Sequence, residues 1–330
     1  MSFINKYDKI KLLVNRPLTI NYSKDYGFTV DSNDVFKQLN HTDLGLSISI
    51  DLQKNNTTIT FSSKILRSQT ARLISTDTIE DVYSIIANVV DISHTEFYKA
   101  TVLTAEVTHD VRFVEPDVLI DSMFRLAKLQ TGYKVAPKPH KHRKKSCSFW
   151  MKKSNSNRRY IDFLSIYDKK AEFLSQNKKA NQDLYQALTP EQLSSYLQEI
   201  ENIVRFEVKL NSAYMLRKHY GLADSIKPTL ETLLNSEVQV VKNMVERLFS
   251  GLAVLTEKEF KAKNRAQLAD YLALRENDFD LEKTLAYLQG VFGTIQRSRE
   301  EKRLRSVLSC ISASTISSVA IVYLELLKLM

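Results

Sequence analysis

The sequence predicts an α+β protein, strand-rich with inserted helices in its first half and mainly helical after that, and three patterns carry this reading. Leu46-Ser-Ile-Ser-Ile-Asp-Leu52 and Thr57-Thr-Ile-Thr-Phe61 alternate apolar and polar residues around Lys54-Asn-Asn56, which has the chemistry of a hairpin turn. Ile79, Val82, Ile85, Ile86, Val89 and Val90 recur at helical spacing. From about Ala171 onward helical spacing dominates, with one strictly alternating exception, Ile203-Val-Arg-Phe-Glu-Val-Lys-Leu210.

In chain order, the helix at Asp77 to Val90 is expected to be capped by Ser75 or Thr76. A long strand, Ala100 to Phe113, follows. Glu115-Pro-Asp117 then opens a helix running to about Leu129, because proline tolerates the first turn and carboxylates favour the positive helix end. A basic connection from Ala136 to Lys145 leads to two strands, Ser146 to Met151 and Arg159 to Ile166, joined by a Ser-Asn-rich turn. The strand at Ile203 to Leu210 is expected to return to the first sheet. Amphipathic helices are expected at Leu230 to Leu252, Glu257 to Leu274 and Leu281 to Leu308, with a boundary near Leu222 to Pro228 that divides residues 1–222 from a helical C-terminal domain, 223–330.

Composition narrows the function classes. A chain of 330 residues with 43% hydrophobic content can bury a substantial core. The formal charge is +9, and it is concentrated: Met123 to Ile161 contains twelve lysines and arginines and no Asp or Glu. A phosphate backbone is the natural partner of such a run. No GxxxxGK[ST] or GxGxxG pattern occurs, which disfavours the common ATP-driven and dinucleotide-dependent enzymes. Cys147 and Cys310 are too few for a disulfide framework, and MSFINKYDKI has no continuous apolar signal region, so a reducing, cytoplasmic setting is expected. Val307 to Leu324 lacks charge but is rich in Ser and Thr, which argues against a membrane span and for a buried helix or a contact between copies.

Ser165-Ile-Tyr-Asp-Lys-Lys-Ala-Glu172 concentrates the chemistry. A tyrosine is a weak nucleophile at its free pKa of about 10 and needs a metal, a base or nearby cations. Lys169 and Lys170 meet that need, with Lys170 one turn beyond Tyr167 if a helix starts near Asp168. On the strand Thr101 to Phe113, Glu106, Thr108, Asp110 and Arg112 share one face. Glu106 and Asp110, with Glu207 from the later strand, are candidate ligands for Mg²⁺ or Mn²⁺, cations that prefer oxygen donors. A solvated face with Arg112 neutralising one acid, and a cross-strand ladder of Arg205, Glu207 and Lys209, are the structural alternatives.

His140 and His142 lie in a cationic loop whose lysines would repel a divalent metal, so they are expected to contact phosphate. Lys138, Lys141, Arg143, Lys144, Lys145, Lys152, Lys153, Arg158 and Arg159 join them as candidate DNA-binding residues, and Tyr133, Phe149, Trp150 and Tyr160 could stack on unpaired bases unless they serve a core.

The order of Thr108-His-Asp-Val111, a basic hairpin, the Tyr167 motif, and Val204-Arg-Phe-Glu-Val-Lys-Leu210 followed by Tyr214 to Gly221 resembles the rolling-circle replication initiators of filamentous phages and plasmids, a divergent branch of the HUH endonucleases. The resemblance covers roughly residues 100–222. It implies a central antiparallel sheet flanked by helices, with Tyr167 as the nicking residue and Asp110 and Glu207 as strand acids. It also implies a metal-dependent cut of a single-stranded or hairpin DNA origin that leaves a 5′-phosphotyrosine and a free 3′-hydroxyl. The amphipathic helices and remaining length of the C-terminal third are expected to serve assembly with further copies of the chain or recruitment of a host helicase. Two features depart from the family pattern: His109 precedes Asp110, and no histidine pair occupies an apolar strand. A relaxase or transposase using the same chemistry, and a non-catalytic DNA- or RNA-binding protein, remain as alternatives.

Overall fold

The computed structural model describes residues 5–21, 29–32, 35–41, 44–129, 134–135, 138–140, 143–152, 162–175, 179–249, 262–277, 279–308, 325–326 and 328–330. The strands are β1 (Lys6–Val14), β2 (Thr29–Ser32), β3 (Phe36–His41), β4 (Leu46–Asp51), β5 (Asn56–Ser62), β6 (Thr101–Arg112), β7 (Lys134–Val135), β8 (Lys138–His140), β9 (Arg143–Lys152), β10 (Asp162–Asp168) and β11 (Ile203–Leu210). The helices are α1 (Ile79–Val89), α2 (His94–Lys99), α3 (Pro116–Leu129), α4 (Lys169–Leu174), α5 (Lys179–Ala187), α6 (Pro190–Glu199), α7 (Ala213–Tyr220), α8 (Leu230–Leu234), α9 (Val240–Phe249), α10 (Arg265–Glu276), α11 (Leu281–Phe292) and α12 (Arg297–Leu308), with a 3₁₀ segment at Ser63–Arg72.

The strands form one antiparallel sheet in the order β2-β3-β4-β5-β1-β6-β11-β10-β9-β7, with β8 also paired to β9. The fold is therefore α+β. The predicted hairpin is β4 and β5, turning through Asn55 at φ 52°, a left-handed conformation that asparagine tolerates. The return strand is β11, which pairs with both β6 and β10.

One central strand has no counterpart in the sequence reading, and one segment differs from it. The strand β1 lies between β5 and β6 in the middle of the sheet, yet its sequence does not alternate cleanly. Tyr7 pairs with Val107 and Lys9 with Glu106, so Asp8 is an extra, bulged residue. The apolar positions Tyr7 and Ile10 are three apart as a result, and the period of two is broken. In the basic connection, Lys138–His140 is a strand rather than a loop, and β9 begins at Arg143. Lysines at the margin of a sheet are a common guard against pairing with other chains.

One apolar cluster joins the inner sheet positions, among them Ile10, Leu12, Val107, Leu164, Ile166, Val204, Phe206 and Val208, to helix residues such as Leu119, Met215, Leu233, Val245 and Leu304. The chain beyond Leu222 shares this cluster. It is also tied to the sheet by the Thr101 to Thr229 bridge and by the Tyr7 hydroxyl, which donates to the Leu233 carbonyl over 2.8 Å. The expected division between residues 1–222 and 223–330 is thus not marked by a break in the core.

Helix ends follow local chemistry. The Thr78 hydroxyl, donating to the Leu73 carbonyl over 2.8 Å, fixes the chain just before α1, two or three residues later than the cap expected at Ser75 or Thr76. The single helix expected over Leu230 to Leu252 is two, with a cap at Asn235 between α8 and α9. Likewise Leu281 to Leu308 divides into α11 and α12 at Gly293, whose φ of 73° ends the first helix. Among the described residues no helix is long and apolar enough to cross a membrane; residues 309–324 lie outside that set.

Candidate active site

Both faces of the central strands are covered. Strand β11 places Val204, Phe206, Val208 and Leu210 on the apolar side, yet Arg205 and Glu207 on the opposite side are also buried, at 1% and 6% exposure. The cross-strand ladder that the sequence offers for this strand is present, Arg205 pairing with Asp110 and Lys209 with Glu106 on β6, but Arg205 and Glu207 are buried within it. They sit beneath a layer made by α4, α6 and the 3₁₀ segment. Phe173, Leu184, Tyr196 and Ile200 form a small second core there, with Phe173 and Tyr196 edge to face at 4.9 Å.

Between the sheet and this layer lies a cleft of about 490 Å³. Asp8, Glu106, Tyr167, Lys169, Glu172, Glu207 and Lys209 line it from β1, β6, β10, β11 and α4, Asn40, Ser47 and Thr60 line it from β3, β4 and β5, and Ser63 from the start of the 3₁₀ segment.

Tyr167 faces the cleft near the end of β10. Asp168 stops the strand and caps α4, its side chain accepting from the Ala171 N–H over 2.9 Å. In register, Tyr167 is opposite Arg205, and Ser165 is opposite Glu207. The diagonal this creates lets the Tyr167 hydroxyl donate to Glu207 Oε2 at 3.1 Å. Burial, reinforced by the charge of Glu207, raises the phenol well above its ordinary pKa, although Arg205 opposes the shift.

Glu207 is one of three clustered acids. Oxygens of Asp8, Glu106 and Glu207 lie within 4.8 Å of one another, and this donor set can hold a metal ion. The β1 bulge supplies Asp8 by turning two successive residues, Asp8 and Lys9, toward the cleft. Ser63 Oγ donates to Asp8 at 2.8 Å. Burial pushes the Asp8 carboxyl up, but Lys169, Arg205 and the Ser63 bond together outweigh it and hold it below the ordinary range. Glu106 moves the other way, raised by burial and by Glu207 against the opposing pull of Lys209.

Lys209 stands opposite Glu106 on β11, and its Nζ is 3.0 Å from Glu106 Oε1 and 3.0 Å from Glu207 Oε1. Burial works against this ammonium, but Glu207 and Glu106 raise its pKa, so it is charged.

The expected metal ligand Asp110 has a different partner. Both its oxygens accept from Arg205, Nε and Nη2 each at 2.7 Å, in a bidentate pair. Arg205 Nη1 extends to Asp8 at 3.5 Å. Asp110 is therefore outside the acid cluster and Asp8 fills the third place, because the bulge brings β1 toward the acids while the register sets Asp110 directly across from Arg205.

The two lysines also separate. Lys169 is buried, its Nζ 3.2 Å from Glu172 and 6.0 Å from the Tyr167 ring centre. Burial and Arg205 depress its pKa, yet Tyr196, Glu172 and Asp8 prevail and raise it. Lys170, expected to stabilise a phenolate, instead pairs with Glu201 at 2.7 Å on an exposed surface. The helix starts at Lys169, so one step along it turns the next side chain away from the cleft.

Of the candidate DNA-binding residues, Lys138 and His140 are on β8, and Arg143, Lys144, Lys145 and Lys152 on β9. Strand β9 pairs with β10 directly beside the Tyr167 motif, Ser146 opposite Tyr167. Lys141, His142, Lys153, Arg158 and Arg159 lie outside the described residues. Asp8 and Lys209 are functional candidates that motif reading missed. The broken alternation at Tyr7 to Ile10 is the signal that points to Asp8.

Comparison with known protein families, curated proteins and solved structures finds no match to this chain.

Proposed function

We propose that this chain cuts and rejoins single-stranded DNA through Tyr167, as a rolling-circle replication initiator with an HUH-endonuclease-like sheet. The observation that carries the reading is the convergence of a tyrosine hydroxyl, a buried glutamate and two further carboxylates in one cleft, beside strands rich in Lys and Arg.

In this reading Glu207 takes the Tyr167 proton as the phenol oxygen attacks a backbone phosphorus. The Tyr167 O–P bond forms while the bond from phosphorus to the 3′-oxygen breaks, and the leaving oxygen takes a proton from solvent as a 3′-hydroxyl. The 5′-phosphotyrosine keeps the phosphodiester's energy, so a 3′-hydroxyl can reverse the step and rejoin the strand. Asp8, Glu106 and Glu207 form an all-oxygen donor set that suits Mg²⁺ or Mn²⁺. Such an ion, when bound, polarises the phosphate and favours the phenolate. Lys169, fixed by Glu172 beside the tyrosine ring, adds a positive charge where the attacking oxygen becomes anionic. Lysines and arginines of β8 and β9 would carry the DNA backbone toward Tyr167.

The test is cleavage of a pool of single-stranded and hairpin DNA oligonucleotides with Mn²⁺ or Mg²⁺, comparing the wild-type chain with Tyr167→Phe. The reading expects metal-dependent cleavage that Tyr167→Phe abolishes and EDTA suppresses. Binding of the same DNA with no cleavage by the wild type would favour the non-catalytic alternative, for which a hydrogen-bonded tyrosine with a raised pKa is sufficient.

A further inference from the structure

We propose that Lys209 is a resident cation of the acid site, and that a divalent metal entering the site displaces its ammonium toward the substrate phosphate. This rests on the metal reading given above and adds to it a competitor built into the chain.

The geometry leaves little choice. Glu207 has both oxygens engaged, Oε2 by the Tyr167 hydroxyl at 3.1 Å and Oε1 by Lys209 at 3.0 Å. The same ammonium is 3.0 Å from Glu106 Oε1, so it bridges two of the three acids. A metal using those two glutamates must share their oxygens with Lys209 or replace it. Sharing would put a dication and an ammonium a few ångströms apart in a half-buried site, where their repulsion is poorly screened.

Lys209 is the group able to yield. Its side chain is 34% exposed, against 7% for Glu207, and its flexible stem reaches into the cleft that Tyr167 also lines. Backbone register keeps it there, because it stands opposite Glu106 and two residues from Glu207 on the same strand face. An ammonium released from the acids therefore stays within the cleft in which the scissile phosphate would lie. In the metal-free chain its bridge holds two like-charged carboxylates together, which keeps the site assembled.

The experiment measures Mn²⁺ binding to the full chain, without DNA, by calorimetry and by the metal-induced rise in melting temperature. It compares the wild type with Lys209→Met, Lys209→Gln, Lys209→Arg and Glu207→Gln. Removing the competitor is expected to tighten Mn²⁺ binding about tenfold or more in Lys209→Met and Lys209→Gln, and to enlarge their Mn²⁺-induced stabilisation. Lys209→Arg keeps the charge and is expected to bind no tighter than the wild type. If Lys209→Met folds only when Mn²⁺ is present, the placeholder role is supported. Unchanged or weaker binding in both neutral variants, with Glu207→Gln still impaired, overturns the role of Lys209 and leaves the metal site standing. Absence of Mn²⁺ binding to wild type and variants alike overturns both.

Discussion

The Tyr167 hydroxyl donates to Oε2 of Glu207 across 3.1 Å, on a diagonal between β10 and β11 set by the pairing of Ser165 with Glu207. The bond joins the one tyrosine of the Ser165 to Glu172 motif to the acid best placed to accept its proton. Glu207→Gln keeps the shape and removes that capacity. Under the proposed chemistry, nicking by the variant should fall by about 10²- to 10⁴-fold, the usual worth of a positioned base. Single-turnover cleavage rates check this, and a loss below threefold would remove Glu207 from the reaction.

The state of the phenol itself is measurable. With burial and Glu207 raising its pKa, Tyr167 should stay protonated in the metal-free protein at a pH where an exposed tyrosine, with its pKa of 10.0, has ionised. The folded-state pKa lies above the unfolded one, so this group's contribution to stability is present below about pH 10 and is lost as pH rises through the folded value. Phenolate absorbance of the wild type minus Tyr167→Phe should show late ionisation, and Mn²⁺ should move it to lower pH.

Lys169 and Lys170 are adjacent in sequence and divergent in place, one buried beside Tyr167 and the other paired with Glu201 outside. Lys169→Met should therefore lower the cleavage rate by about 10-fold or more, as loss of a preorganised charge does. Lys170→Met should stay within about twofold of wild type, since an exposed ion pair contributes little. Equal effects would contradict the placement.

Strand pairing was legible where alternation is unbroken. The hairpin of β4 and β5, the return strand β11, and the end of β10 at the Tyr167 motif all follow from period-two patterns that one buried face imposes. Asp8 was marked only indirectly, by the break in alternation between Tyr7 and Ile10 that its bulge causes, since no motif singles out a lone Asp between Tyr7 and Lys9. Asp110 was misassigned for a related reason: spacing puts it on the same face as Glu106, but only the register of β11 reveals that Arg205 lies across from it. Helix division at Asn235 and Gly293 depends on single residues ending a helix inside an otherwise continuous amphipathic pattern.

The Arg205 to Asp110 fork should prove structural in weight. Arg205 is 1% exposed, and removing one partner of a buried pair leaves the other charge without compensation. Arg205→Ala should cost about 3–5 kcal/mol in urea unfolding, whereas a cost under about 1 kcal/mol would show that the pair is not needed. Arg205→Lys should also destabilise, because an ammonium lacks the fork that satisfies both oxygens of Asp110.

At the opposite end of β10, Asp162 is held by His219 at 2.7 Å, by Arg247 at 2.7 Å and by Lys218 at 3.1 Å. Burial raises the carboxyl, but these three partners prevail and bring it down to about 2, from an ordinary 3.8. The folded pKa is the lower one, so the stabilisation is present above about pH 4 and fades as pH falls toward 2, amounting to roughly 2 kcal/mol. Asp162→Asn should lose this acid-range component, which stability curves from pH 6 to pH 2 would register.

The central claim is that Tyr167 becomes covalently joined to DNA. Mass spectrometry of the chain after incubation with Mn²⁺ and the oligonucleotide pool measures this directly, using the tryptic peptide Tyr160 to Lys169, which contains both Tyr160 and Tyr167. The account predicts a nucleotide adduct linked through a 5′-phosphate, localised by fragmentation to Tyr167 and missing from Tyr167→Phe. Efficient strand cleavage with no adduct on this peptide, or with the adduct on Tyr160, would contradict it.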